Sequence, residues 1–246
     1  MTPKPQSDYG PSLPQLLRPR LRALARWQRA VLIGAALLAL VLIGALLIGH
    51  QAQIRTYTQS AADARERGLE PITFNFDHAR KLRIFKPPGD YVQAEWRSGG
   101  TLAASVSVAP FEVRRQTGSA AGALISGWLP IEATRLERRS ARAYDHFRLQ
   151  FEGRARVNRV EGYQYSFDAR LPRKGEQLRQ LFGRIVLLLE PYDAGDPSKD
   201  YPPGHGPTRG VKLTMLSTRL DQVDSSTVVG DQGILKRPFR SFRFGT

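Results

Sequence analysis

Twenty consecutive apolar residues, Ala30 to Gly49 (AVLIGAALLALVLIGALLIG), constrain this chain more than any other feature. At 1.5 Å rise per residue such a run makes a helix about 30 Å long, the thickness of a bilayer's hydrocarbon core. It offers no polar face, so it fits poorly as a helix lying on the core of a soluble domain. Arg18, Arg20, Arg22, Arg26 and Arg29 crowd the N-terminal flank, with Trp27 among them, whereas the other flank holds Arg55 and then the mixed run Asp63-Ala64-Arg65-Glu66-Arg67. That asymmetry predicts a single span with its N-terminus cytoplasmic and everything after about residue 50 outside. A cleaved secretory signal is the competing reading. The run exceeds the usual apolar region of about 7 to 15 residues, and His50-Gln51-Ala52-Gln53 lacks a small-x-small cleavage pattern. Ser60-Ala61-Ala62 lies too far beyond the run. The expectation is a plasma-membrane protein that contacts the lipid bilayer through residues 30–49.

Charge describes what is anchored. Residues 1–29 hold six basic residues against one acid, Asp8, so +10 of the net charge of +15 belongs to the remainder. A basic outer portion suits anionic neighbours such as lipid headgroups, an anionic envelope polymer or an acidic protein surface. The chain contains no Cys, which excludes disulfides and thiolate chemistry.

The organisation reads in four parts. Residues 1–29 are a basic cytoplasmic tail; its first nineteen residues carry five prolines and one aromatic residue, too little apolar material to offset ordering entropy. Residues 30–49 are the span. Residues 50–71 read as a helical stalk, since Gln51 to Arg67 is polar with good helix formers and meets stops at Gly68 and Pro71. Residues 72–246 read as one α+β domain.

Within that domain, Leu82–Phe85 precedes the turn signal Pro87-Pro88-Gly89-Asp90, and Tyr91–Arg97 with Thr101–Ala109 flank the hairpin signature Ser98-Gly99-Gly100. Ala121, Leu124, Ile125 and Trp128 fall at helical spacing, and Pro130 is expected to stop that helix. Residues 146–152 and 163–170 alternate as half-buried antiparallel strands, expected to turn near Glu161-Gly162. Leu181–Glu190 is apolar on both faces and reads as a central strand, and Val211–Arg219 continues the sheet. Ser225–Leu235 reads as a short helix and Phe239–Phe244 as a closing strand. Residues 191–210 form an extended Pro- and Gly-rich loop, a candidate recognition element.

Pro88-Gly89 after the first strand, Gly162-Tyr163-Gln164-Tyr165 opening a middle strand, Arg184–Leu189, and Phe239-Arg240-Ser241-Phe242 carry a resemblance. Over about Ile72 to Gly245 the chain resembles the α/β/α sandwich shared by PsbP, the Ran-binding Mog proteins and many bacterial surface proteins. The resemblance implies a non-enzymatic binding or scaffolding module with an antiparallel sheet.

Candidate chemistry is sparse. Asp77-His78 and Asp145-His146 are acid-His pairs, and an envelope hydrolase built on His78 and His146 is the alternative function. Adjacent strand residues point to opposite faces, so neither pair is a dyad by itself. No zinc-ligand spacing, nucleophile elbow or phosphate loop is present. No cofactor, metal or catalytic residue is assigned. Arg148, Arg154, Arg156, Arg159 and Arg170 concentrate between residues 148 and 173, and on a hairpin they are expected to share a solvent face suited to phosphate or carboxylate. Nucleic acid is not an expected partner, since no binding motif accompanies the arginines.

Overall fold

A computed structural model describes residues 31, 34–35, 37–39, 53–113, 129–171, 179–191 and 209–245. The chain divides into two compact units, Met1–Gln53 and Ile54–Thr246. In the first unit residues 31, 34–35 and 37–39 are helical and exposed. Among the described residues no helix is long and apolar enough to cross a membrane. Most of the expected span, the tail before it, the expected helix up to Trp128 and most of the 191–210 loop lie outside the described residues.

The second unit is a mixed α+β structure with antiparallel sheets. It starts with β1 (Ile54–Gln59), α1 (Ala61–Glu66), β2 (Phe74–Ala79) and β3 (Arg83–Phe85). The hairpin β4 (Val92–Ser98) and β5 (Thr101–Glu112) follows, then α2 (Leu129–Ala143). Next come β6 (Asp145–Val157), β7 (Val160–Leu171), β8 (Arg179–Leu189) and β9 (Arg209–Ser217). Two 3-10 turns lead to α3 (Lys236–Ser241) and β10 (Arg243–Phe244). One sheet has the order β1-β2-β10 and the other β3-β4-β5-β9-β8-β7-β6.

Three layers result. On one face of the large sheet, Phe74 and Phe76 of β2 join Phe239 and Phe242 of the α3 segment in a cluster with Val106, Val186, Leu213 and Met215. On the other face, Leu129 and Ala133 of α2 meet Tyr165, Phe167, Leu181, Ile185 and Leu187. Both clusters are built from residues of the second unit alone. β8 lies between β7 and β9, as its two-sided apolarity predicts. The turn after β4 forms where expected, with Gly99 and Gly100 at positive φ and Ser98 paired to Thr101.

Several expectations need correction. The stalk at 50–71 is not helical throughout: residues 54–59 form β1, paired with β2 from Ile54↔Ala79 to Gln59↔Phe74, so the domain begins at 54 and not at 72. Ile54, Thr56, Tyr57 and Thr58 are β-branched or aromatic and fit a pleated, half-buried surface. Helix starts only at Ala61, where the Ser60 hydroxyl accepts from Asp63 N at 3.1 Å, and it ends at Gly68 as expected (φ +67). Pro130 is the second residue of α2, in the first turn where proline is tolerated, and the helix described runs on from it to Ala143. The hairpin turns at Asn158 and Arg159, both at positive φ, two residues before Glu161. Residues 236–241 are helical, because Phe239 and Phe242 stand three apart and both reach the core, a spacing that a period-2 strand cannot provide. In place of a helix at 225–235 there is a 3-10 turn at Ser226–Val228. The outer layer on this face therefore combines a small sheet with one short helix.

Candidate anion-binding surface

The β6-β7 register divides the five arginines expected to act together. Arg154 pairs with Tyr163 and Arg156 with Glu161, so both stand on the α2 side with Tyr165 and Phe167. Arg148 pairs with Asp168 and Arg170 with Asp145; on β7 these even-numbered positions face the opposite side. The cause is the irregularity between Leu149 and Phe151, where one extra residue reverses the face of every following side chain. Arg159 sits at the turn. All five are exposed, yet they do not form one surface.

Cations gather instead where β2 ends. The turn into β3 reads Ala79-Arg80-Lys81-Leu82-Arg83-Ile84-Phe85-Lys86; Leu82 is buried and Ile84 half-buried against the core, leaving Arg80, Lys81 and Arg83 outside. Arg80, Lys81, Arg83 and Arg97, with Phe85 and Trp96, line a cleft of about 630 Å³. Lys81 Nζ lies 5.5 Å from the centre of the Trp96 ring, a cation–π contact. Glu95 is the acid in the lining, and it is already engaged, accepting from Arg97 Nε at 2.9 Å and Gln93 Nε2 at 2.6 Å. Arg80 and Arg83 have no ion pair or side-chain hydrogen bond among the described residues. Phe85 is 48 % exposed, an aromatic ring at the cleft rim.

A second cleft of about 520 Å³ is lined by Asp77 and Ala79 of β2, the latter next in sequence to Arg80 of the first cleft, and by Lys236, Arg237 and Arg240 of α3. Its acid is also engaged, since the Thr56 hydroxyl donates to Asp77 Oδ1 at 2.7 Å. The Ser241 hydroxyl accepts from Asp77 N at 2.7 Å and so pins α3 to β2. Arg240 stands 3.6 Å from Asp231. Seven cations thus flank the junction at Ala79-Arg80, against two carboxylates that both have partners. Clefts of several hundred Å³ are of a size for small-ligand groups, and guanidinium forks match phosphate or carboxylate.

Hydrogen bonds and ion pairs hold the segments around this surface in place. Arg67 donates to the carbonyls of Tyr91 (2.8 Å), Pro87 (2.9 Å) and Asp90 (2.7 Å), holding the Pro-Pro-Gly-Asp turn that follows β3 against α1. Lys86 is paired with Asp63 at 2.8 Å, and that bond heads the causes that hold the Asp63 carboxyl below its ordinary value. Arg184 of β8 donates to Gln164 Oε1, Val229 O and Asp231 Oδ2 and covers the Phe239 ring, tying the segment before α3 to the large sheet.

His78 and His146 do not come together. His78 is buried on β2 in the small sheet, its Nδ1 3.1 Å from Ala79 O, whereas His146 is exposed on the edge strand β6 of the large sheet. Among the described residues no group of three or more His, Asp or Glu side chains is placed to hold a metal ion. The sequence does carry a signal for the cationic junction, four basic residues within the seven from Arg80 to Lys86. The run is short, and its four cations are outnumbered by the six arginines of 148–173.

No protein-family model and no curated protein matches the chain. Among solved structures it is similar to the solution structure of cyanobacterial PsbP (CyanoP) from Synechocystis sp. PCC 6803. The identity is 11 %, the TM-score 0.41, and the match covers 79 % of this chain and 94 % of that one. A likeness of that size carries no argument about partner or activity.

Proposed function

We propose that the chain is a membrane-anchored binding module, non-enzymatic, whose outer domain captures an anionic partner on the basic end around Ala79 and Arg80. Residues 30–49 are its anchor, with the N-terminus cytoplasmic and the domain extracytoplasmic. One observation carries the reading: of the seven cations lining the two clefts, Arg97 and Arg240 face Glu95 and Asp231, whereas Arg80, Lys81, Arg83, Lys236 and Arg237 have no ion pair among the described residues. An ion-pair network that served stability alone would put a carboxylate against each guanidinium.

The test is retention of the purified chain on a polyanionic matrix, with elution by salt. Charge–charge attraction between exposed groups is screened over about 8 Å at physiological ionic strength, so retention must fall as salt rises. Arg80→Glu with Arg83→Glu is expected to abolish retention, and Arg154→Glu with Arg156→Glu to leave most of it. Equal loss in both pairs would reduce the effect to net charge, and unchanged retention in the first pair would remove the surface.

A further inference from the structure

We infer that the partner of this basic end is the headgroup layer of anionic phospholipids in the bilayer that residues 30–49 are expected to enter, an inference that rests on the anchored-module reading above. Three observations point there. First, the chain enters the second unit at the end where the cations are: Ile54, the first residue of β1, pairs with Ala79, the last residue of β2, and Arg80 follows directly. Second, whatever the arrangement of the two units, Gly49 and Ile54 are five residues apart, and extended chain spans at most about 3.6 Å per residue, or roughly 18 Å. A span ending at Gly49 therefore tethers this end of the domain within reach of its own membrane surface. Third, the cleft mixes cations with aromatic rings, Phe85 half exposed and Trp96 partly buried under Lys81. That mixture suits an interface, where arginine and lysine meet phosphate while aromatic rings settle at headgroup depth.

Docking of this kind gives the domain a fixed orientation on the membrane surface. With the Ala79-Arg80 junction on the headgroups, the opposite end of the large sheet is presented away from the bilayer. The tether also supplies a high effective concentration, so weak individual phosphate contacts suffice without free lipid binding tightly.

The experiment uses the full chain in nanodiscs of phosphatidylcholine alone or with phosphatidylglycerol, and reads amide hydrogen exchange. Exchange at residues 80–86 and 236–241 is expected to slow several-fold in the phosphatidylglycerol discs, to return to the phosphatidylcholine rate at high salt, and to lose its lipid dependence in Arg80→Glu/Arg83→Glu. Lys236→Glu/Arg237→Glu provides an independent second pair, with the exchange of β8 as the check that each variant is folded. Equal exchange in the two discs overturns lipid docking. If the chain still binds the polyanionic matrix in that case, the binding reading stands with a different partner; if it does not, both fall together.

Discussion

Arg184 offers the sharpest test of how the cationic junction is held. Its side chain is 12 % exposed, and its guanidinium reaches Gln164 Oε1 at 2.8 Å, Val229 O at 2.9 Å and Asp231 Oδ2 at 2.7 Å. The same group stands 4.5 Å from the centre of the Phe239 ring. Replacing it with Met keeps the length and removes every donor. Val229 is fully buried and Gln164 nearly so, so two acceptors lose their hydrogen bonds where water has little access. Each such orphan costs about 1 to 3 kcal/mol. Asp231 is 42 % exposed and relaxes into water, so its share of the ion pair is discounted. The expected loss is about 3 to 4 kcal/mol, and at roughly 2 to 4 °C per kcal/mol for a domain of this size the melting point falls by about 10 °C. Arg184→Lys is expected to recover less than half, because a point charge cannot serve three acceptors in a planar fork. Urea midpoints of the 54–246 unit measure both. A loss under about 1 kcal/mol for Arg184→Met would refute the clamp, because buried acceptors deprived of a donor cannot be that cheap. Since Val229 and Asp231 lead into α3, the same variant is expected to loosen Lys236, Arg237 and Arg240 before global unfolding.

Other consequences are independent of the site. Gly183→Ala puts a Cβ into the fully buried Phe167 ring and is expected to cost about 1 to 3 kcal/mol, whereas Gly153→Ala meets only the exposed Phe151 and should be near neutral; equal urea midpoints would remove the Gly183 assignment. Burial pushes the Tyr57 phenol up to about 12 and raises Tyr91 and Tyr165 as well, while unfolded tyrosine ionises near 10. Stability present below about pH 10 is therefore lost as pH rises through the folded values, and tyrosinate absorbance from these three should appear together with unfolding. Gradual appearance centred near pH 10 in a folded chain would contradict their burial. Arg156→Glu with Arg170→Glu removes two exposed charges on opposite faces, each without an ion pair among the described residues. Its unfolding midpoint should move by less than about 0.5 kcal/mol, and a larger loss would show that these arginines are structural.

Local pattern was legible where local physics decides. Alternation located β6 and β7, two-sided apolarity located β8, and the Ser98-Gly99-Gly100 turn that marks β4 and β5 was readable because two successive positive-φ positions favour glycine. What remained hidden depended on distant partners. Gln164 and Ser166 read as a solvent face but are buried, because Arg184 and the turn at Ser226 cover them from other parts of the chain. β1 looked helical since the good helix formers of 61–66 follow it directly, and only pairing with β2 settles residues 54–59. The site was misplaced for a similar reason. Parity along β6 puts Arg148, Arg154 and Arg156 on one face, and the irregularity at Leu149–Phe151, set by pairing with β7, reverses it. The Arg80–Lys86 run holds four cations against the six of 148–173; its weight comes from α3, which the fold brings alongside β2 from more than 150 residues away.

On this reading the Ala79-Arg80 junction, and not the β6-β7 hairpin, meets the anionic partner. The most direct measurement is a hydrogen-exchange footprint of the full chain with a soluble polyanion at low salt, resolved by segment. Slowed exchange confined to residues 80–86 and 236–241, reversed by salt, is the predicted result. Slowed exchange on 148–170 with residues 80–86 unchanged would place the partner on the hairpin instead.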